Sequence, residues 1–460
     1  MKKTKMNIRA LKLLAAMTSF AALAIPLLLA AQEPPAKDDF PRYKVRDLGT
    51  FGGTSSSGRG VNNKDLIAAD AFLPHDNAQR AFSLKKGRKI DLGTLGGPNT
   101  VTFSKPNEHG ELVGGSDTSN QDPLGEDFCF FGTHLTCLGF VWQKGAMTAL
   151  PNLGGNNGTA NFINNHGQVA GLAENATLDS TCSNSEYQAK PVIWSKGVPT
   201  ELPTVSNDPD GNASAVNDQG VAVGGSGDCA TGPALSLHAV LWQNGSAMDL
   251  GSLGGTLFSD AFGINNQGQV VGSSDLPGDT NFWAGPFINN HAFLWENDTL
   301  TDLGTLAGDA GSWSFSINRK GQIVGFGSRA ILWSKRGMTD LNTLVPGPPF
   351  SPLYLLQAWD INDRSEIVGE GIDINGELHA FLAIPCDEQH GDVEDCHVDA
   401  GRNVTTAPIQ PPHAVTNSEI AVRGNPLLGH LPSGTVIGRR PEGLAGRDFS
   451  NMPAAAVRRP

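Results

Sequence analysis

The chain has 460 residues and a formal net charge of −13, which becomes five units more negative once the basic N-terminal cluster is removed. That balance argues against nucleic acid or an anionic lipid surface as partner. Glycine (56) and proline (29) are abundant and charged residues make up only 17%, which favours many short strands joined by tight turns over long helices.

Lys2, Lys3, Lys5, Arg9 and Lys12 precede an apolar run from Leu13 to Ala31, and Ala30-Ala31 is followed by a polar, proline-rich stretch from Gln32. This is the order of a secretory signal peptide. Leu29 stands where a small residue is preferred, and the run nearly reaches bilayer length, so an uncleaved N-terminal anchor is the alternative over residues 1–31. Either way residues 33 onward are expected outside the cytoplasm, secreted, periplasmic or at the cell surface. No later segment is expected to span a membrane. Residues 32–42 read as a linker.

Three motifs then recur. The first is Ile/Val-Asn-x-x-Gly-x-Val-Val-Gly, with its asparagine at Asn62, Asn107, Asn164, Asn217, Asn265, Asn318 and Asn362. Glycine follows three residues later in five units, and Asp65 and Ser365 replace it in the other two. Asparagine opens a hairpin turn by bonding its own backbone, and glycine supplies the positive φ that closes it. The second motif is His-Ala-Phe-Leu-Trp at His291–Trp295. Its relatives are His238–Trp242, Arg329–Trp333, Lys190–Trp194, Leu138–Trp142, Arg80–Leu84 and His379–Ala383. After a short turn such as Lys144-Gly145, the third motif, Asp-Leu-Gly-Thr-Leu-Gly-Gly, stands at Asp91–Gly97 and, with Ser for Thr, at Asp249–Gly255. Weaker copies begin at Asp302, Asp340, Ala149 and Glu201.

Each unit therefore offers about four short strands in about 50 residues, the size of a propeller blade. The third motif also appears at Asp47–Gly53, before any hairpin, and the last unit lacks its own copy. The fold expected over residues 43–386 is all-β, a seven-bladed β-propeller whose N-terminal strand, Tyr43 to Thr50, completes the seventh blade and removes a free sheet edge. A β-solenoid is the alternative, but it would need capping units, and none is evident.

His291-Ala292-Phe293 and His379-Ala380-Phe381, combined with Asp-Leu-Gly-Thr-Leu-Gly-Gly, resemble the extracellular repeat proteins called the HAF family over about residues 43 to 386. The resemblance implies an exported bacterial protein of repeat character and carries no catalytic residues with it.

The units differ mainly between the hairpin and the His-Ala-Phe strand. Insertions are expected at Ser116–Cys137, Glu174–Ala189, Ser226–Leu237 and Ser273–Asn290. Six cysteines in an exported chain read as disulfides. Cys129–Cys137 is expected within one loop, Cys182–Cys229 between neighbouring loops, and Cys386–Cys396 at the start of the tail. Residues 387–460 are expected to be a mostly disordered tail, made basic by arginines such as Arg402, Arg439, Arg440, Arg458 and Arg459. A contact between that tail and an anionic surface or the acidic body is the sharper alternative.

Trp142, Trp194, Trp242, Trp295 and Trp333 recur at one repeat position and are expected to pack the core between blades. Trp283 obeys no repeat. With Phe282 and Phe287 it is the candidate ligand-binding cluster. Asp91, Asp249, Asp302 and Asp340 are expected to bond backbone amides at turns. His238, His291 and His379 share a position that Arg80, Lys190 and Arg329 occupy elsewhere, which argues against a shared metal. Asp208 to Asn212 is too short for a calcium loop. No nucleophile or phosphate-loop motif is present. The expected role is a non-enzymatic binding or scaffolding module, without cofactor or catalytic residues, for an extracellular polymer or envelope protein. The alternatives are a structural envelope protein, or a polysaccharide-active hydrolase or lyase using Asp117, Asp122, Asp127, Asp275 and Asp279 from the loops.

Overall fold

A computed structural model describes residues 40–179, 187–228, 237–278, 290–345, 351–387 and 390. Twenty-eight strands form seven four-stranded antiparallel sheets. In six of them the strands follow chain order, as in Ser56–Val61, Ile67–Phe72, Gln79–Lys85 and Arg88–Asp91. The first strand of a sheet is almost wholly buried and the fourth is largely exposed, so the first lines the axis and the fourth forms the rim. This is the seven-bladed propeller expected from the repeat.

Closure also follows the expectation. Tyr43–Asp47 pairs antiparallel with Leu378–Pro385, in the register Tyr43↔Pro385 to Asp47↔Phe381, and becomes the rim strand of the seventh blade. Among the described residues no helix is long and apolar enough to cross a membrane.

The repeat asparagines do more than open turns. Asn62 Oδ1 accepts from the backbone N–H groups of Lys64 (2.9 Å) and Leu66 (3.0 Å), which fixes the hairpin. Its Nδ2 donates to the carbonyl of Asn107 in the next blade at 2.9 Å. The same reach runs from Asn107 to Asn164, Asn217, Asn265, Asn318 and Asn362, and Asn362 returns to Asn62 at 3.1 Å. One amide thus serves turn and neighbour together, and the seven make a closed girdle. Asp65 (φ 61°) and Ser365 (φ 69°) adopt the left-handed conformation that glycine supplies in the other five turns.

The glycine ending the first motif has a separate cause. At Gly272 a Cβ would lie 2.0 Å from the Asp260 carbonyl oxygen and 2.5 Å from the Phe293 ring. Gly272 pairs in register with Phe293, so the phenylalanine of His-Ala-Phe fills the space a side chain would take.

In the third motif the aspartates bond turn amides as expected: Asp91 Oδ1 accepts from Gly93 N at 2.8 Å, and Asp249 and Asp302 repeat the bond. Asp340 caps the short helical turn Leu341–Leu344 through Asn342 N. The residue opening the second motif faces this aspartate. His291 lies 2.9 Å from Asp302, His379 2.8 Å from Asp47 and Arg329 2.7 Å from Asp340. His238 instead bonds Asp208 and Lys190 donates to the Pro209 carbonyl, so the partner of this position varies between blades. Leu138 stands instead where Ala149 replaces the aspartate.

The core lies between blades. Trp142 packs with Ala68, Ala81 and Leu92 of the preceding blade, and Trp333 with Val271 and Ala292 of the blade before it. Trp194 and Trp242 are 1% and 2% exposed, and their indole N–H groups reach the carbonyls of Pro151 and Pro203. Trp295 is half-buried beside the same core. Burying each such ring contributes about 2–3 kcal/mol.

Two expected insertions are partly strand. Leu112–Gln121 runs through Ser116 and Asp117, and Gln168–Leu178 runs past Glu174. These strands overrun the repeat length because their outer ends still find partners, as in Gln121↔Leu135 and Leu178↔Tyr187. The Cys129–Cys137 disulfide is present. Cys386 is disulfide-bonded, whereas Cys182, Cys229 and Cys396 lie outside the described residues, as do residues 1–39 and the tail from 391.

Candidate ligand-binding channel

Three residues before each girdle asparagine, the innermost strand turns a side chain towards the axis. On blades one to four this residue is Arg59, Ser104, Asn161 or Ser214. On blades five to seven it is Phe262, Phe315 or Trp359. All seven line one narrow cavity of about 50 Å³, the throat of the channel. In six blades the throat residue is the one skipped at a bulge between the first and second strands, as between Gly58 and Gly60 or Ala261 and Gly263, and a bulge re-aims its side chain; Ser104 follows the end of its strand, Gly96–Thr102. The residue immediately before each asparagine is Val, Ile or Pro in every unit, as packing requires. The throat residues follow no such rule.

The two sides of the throat differ in chemistry. Phe262 stacks on Phe315 with centroids 5.0 Å apart, and Phe315 meets Trp359 at 4.7 Å. Opposite them, Asn161 Nδ2 donates to Asn212 Oδ1 at 2.6 Å and to Ala213 O at 3.1 Å. Arg59 joins the halves. Its guanidinium lies 5.1 Å over the Trp359 ring, and its Nε donates to Asp70 Oδ2 at 2.7 Å. Asp70 is fully buried. Burial pushes its carboxyl up to about 6, although Arg59 and the Thr102 backbone N–H hold it down in part. Lys105 is 3.6 Å from Asp360 Oδ1 and 5.9 Å over the Phe162 ring.

The hairpin side of the channel opens into a wider mouth of about 290 Å³, which shares Lys105, Phe162, Ile264 and Ile317 with the throat. The residue after each girdle asparagine rims this mouth. Asn63 N donates to Glu108, Glu108 N to Asn165, Asn165 N to Asp218 and Asp218 N to Asn266. Arg319 N donates to Asp363 and Asp363 N to Asn63. This second circle breaks only between Asn266 and Arg319, because guanidinium has no acceptor. Burial would raise Asp218, but the hydrogen bonds from Asn165 and Asn266 outweigh it and hold its carboxyl below the usual range.

The other expected sites fall elsewhere. Trp283, Phe282, Phe287 and Asp279 lie outside the described residues. Asp117, expected in a loop, is a strand residue 1% exposed, bonded by Asn99 Nδ2 and Thr133 Oγ1, and burial pushes it up to about 6. Asp122 accepts from Leu124 N and Glu126 N, Asp127 from Gly132 N, and Asp275 from Leu257 N. His238, His291 and His379 each pair with a different carboxylate. His379 has Asp373 and Glu377 nearby, yet Asp373 already accepts from Asn375 N and Glu377 N within its own turn. Asp208 accepts from Ser226 and His238, and Asp210 opens an inner strand.

No protein-family model and no curated protein matches this chain. Solved structures similar to it include a gluconolactonase from Xanthomonas campestris (8% identity, TM-score 0.35, covering 75% of this chain and 95% of that one). Another is the β-propeller domain of the trilobed protease from Pyrococcus furiosus (8%, 0.40, 74% and 95%). A third is an acylaminoacyl peptidase from Pyrococcus horikoshii (11%, 0.40, 73% of this chain and 52% of that one).

The throat residues were open to sequence reasoning. The signal is a register three residues before an invariant asparagine at which repetition fails, as it also does one residue later at Gly60, Lys105, Phe162, Ala215, Gly263, Ser316 and Asp360.

Proposed function

We propose that this chain is an exported binding module of the HAF type, and that its ligand enters the channel from the girdle side. One observation carries the reading. Seven equivalent positions facing the axis hold side chains that differ between blades, divided into an aromatic wall, packed with Phe258, Trp313 and Phe326, and a polar wall. Such a throat matches a small ligand with one apolar and one hydrogen-bonding face, and a mouth near 300 Å³ is at the small end of ligand pockets. A sugar unit at the end of an extracellular polymer has that character. The hydrolase alternative finds little support. It needs carboxylates converging on an open face, whereas Asp117, Asp122 and Asp275 are buried in separate hydrogen-bond networks.

The test mixes the full chain, produced by periplasmic export, with a panel of extracellular polysaccharides and envelope fractions, and reads depletion and soluble product from the same tubes. Depletion without product is expected, and Ser214→Phe, which fills the throat, should abolish it. Release of product would overturn the binding-module reading, and depletion unchanged by Ser214→Phe would overturn the placing of its site.

A further inference from the structure

We infer that the throat seats a carboxylate carried by a sugar, so that the ligand of the channel is an acidic monosaccharide unit of the uronate class; this rests on the channel being the binding site. Arg59 and Trp359 are 4% and 7% exposed, and both line the throat. Arg59 Nη2 and Trp359 Nε1 are buried there without a hydrogen-bond partner among the described residues. Buried donors of this kind are satisfied in nearly all folded proteins. Two of them on residues in contact, the guanidinium lying 5.1 Å over the indole ring, provide donors for an oxygen acceptor bearing negative charge.

Two of the nearby carboxylates, Asp70 and Asp360, are already held by the scaffold. Asp70 is held by Arg59 Nε and Thr102 N. Asp360 accepts from Val61 N at 2.9 Å and Ser316 Oγ at 2.6 Å. Their oxygens are engaged by the scaffold, while the outer edge of the guanidinium is left for a ligand. Lys105, on the wall shared by mouth and throat, places a second cation on the way in.

The sugar part follows from shape and chemistry. The throat is narrow and suits the carboxylate, and the wider mouth suits the ring. Phe162, Ile264 and Ile317, which line both spaces, offer apolar surface to ring C–H groups, and the amides of Asn165 and Asn266 stand on the rim beside ring hydroxyls. A peptide ending in a free carboxylate would share the anionic contact, but the mouth is rimmed by amides and charged groups rather than side-chain pockets.

Calorimetric titration of the full chain with sodium D-glucuronate, D-glucose, sodium acetate and a short peptide with a free C-terminus tests this. Glucuronate should bind at least about tenfold more tightly than glucose or acetate, the scale of one charged hydrogen bond. Trp359→Phe keeps an aromatic face and removes the N–H together with the five-membered part of the indole. It should weaken glucuronate about fivefold and leave glucose unchanged. Arg59→Gln should abolish the preference for glucuronate, with a thermal melt confirming that the variant folds. Equal binding of glucose and glucuronate would overturn the carboxylate seat and leave the channel reading standing. Acetate or the peptide binding as tightly as glucuronate would overturn the sugar part. No binding of any of the four, with polymer depletion still sensitive to Ser214→Phe, would overturn this inference alone. Loss of both signals would remove the channel as a site.

Discussion

Two circles of side chains stand one turn of strand apart around the same axis, and they obey opposite rules. The girdle is asparagine in all seven blades. The throat, three residues earlier, is seven positions filled by Arg, Ser, Asn, Ser, Phe, Phe and Trp. The girdle residue has two obligations, a turn and a neighbour, and no other side chain meets both: aspartate lacks the donor, and glutamine is one methylene too long for the turn. The throat residues share no common obligation: Arg59 pairs with Asp70, Asn161 bonds Asn212, and the three aromatics pack with Phe258, Trp313 and Phe326. Repetition in such a chain therefore marks what holds the ring together, and departure from repetition at an axial register marks what the ring is for.

The largest test of this contrast is a substitution the scaffold should refuse. Gly272→Ala would press a methyl against a backbone carbonyl and the Phe293 ring, and is expected to cost about 3 kcal/mol or more in urea unfolding. A girdle change comes next. Asn265→Ala leaves the Gln267 and Gln269 backbone N–H groups and the Asn318 carbonyl without their partner, for a loss of about 2–3 kcal/mol. Ser104→Ala in the throat should move the same unfolding curve by less than about 0.5 kcal/mol. Equal costs at Asn265 and Ser104 would break the comparison.

A smaller effect concerns the closing strand. Asp47 raises the pKa of His379 above its ordinary 6.5, chiefly through their hydrogen bond. Burial works to raise Asp47, but His379 and the Gly49 N–H outweigh it and hold its pKa below 3.8. The stabilisation linked to His379 is full below pH 6.5 and fades as pH rises through the raised value. That linked to Asp47 is full above 3.8 and fades as pH falls through the lowered one. The advantage of the wild type over His379→Ala in melting temperature should therefore be greatest between roughly pH 4 and 6.5 and should shrink above pH 7. For a half-exposed pair it should be worth about 0.5 kcal/mol. The smallest expected effect repairs the rim: Arg319→Asn supplies the missing acceptor for Asn266 N and should be neutral or stabilising by about 0.5 kcal/mol.

Much of the scaffold was legible because its causes are local. An asparagine that bonds its own turn, a glycine at positive φ and an aspartate on the amide two residues on each leave a mark within five residues. The register of the third motif at Asp47 even disclosed how the ring closes. The cross-blade half of the asparagine's work was not legible, because its acceptor lies 44 to 57 residues away, or 300 at the closing pair, and becomes a neighbour only in the folded ring. Asp117 was misplaced because nothing local marks a strand that continues beyond its repeat. The throat was not legible for the converse reason: a position that holds Arg, Ser, Asn, Phe or Trp leaves no mark in a repeat.

The seventh blade also constrains the order of folding. Asp47 and His379 are 332 residues apart in the chain, yet they lie on paired strands. The strand that seals the ring is made before the other strands of the propeller and must wait for the last of them. Until then the third strand of the final blade carries a bare edge, open to pairing with another chain. Contacts of such long separation form slowly, and a partly folded ring is exposed to aggregation while it waits. A closing strand at the extreme start of the folded region means that a chain translocated N-terminus first completes its ring only after nearly all of it has crossed.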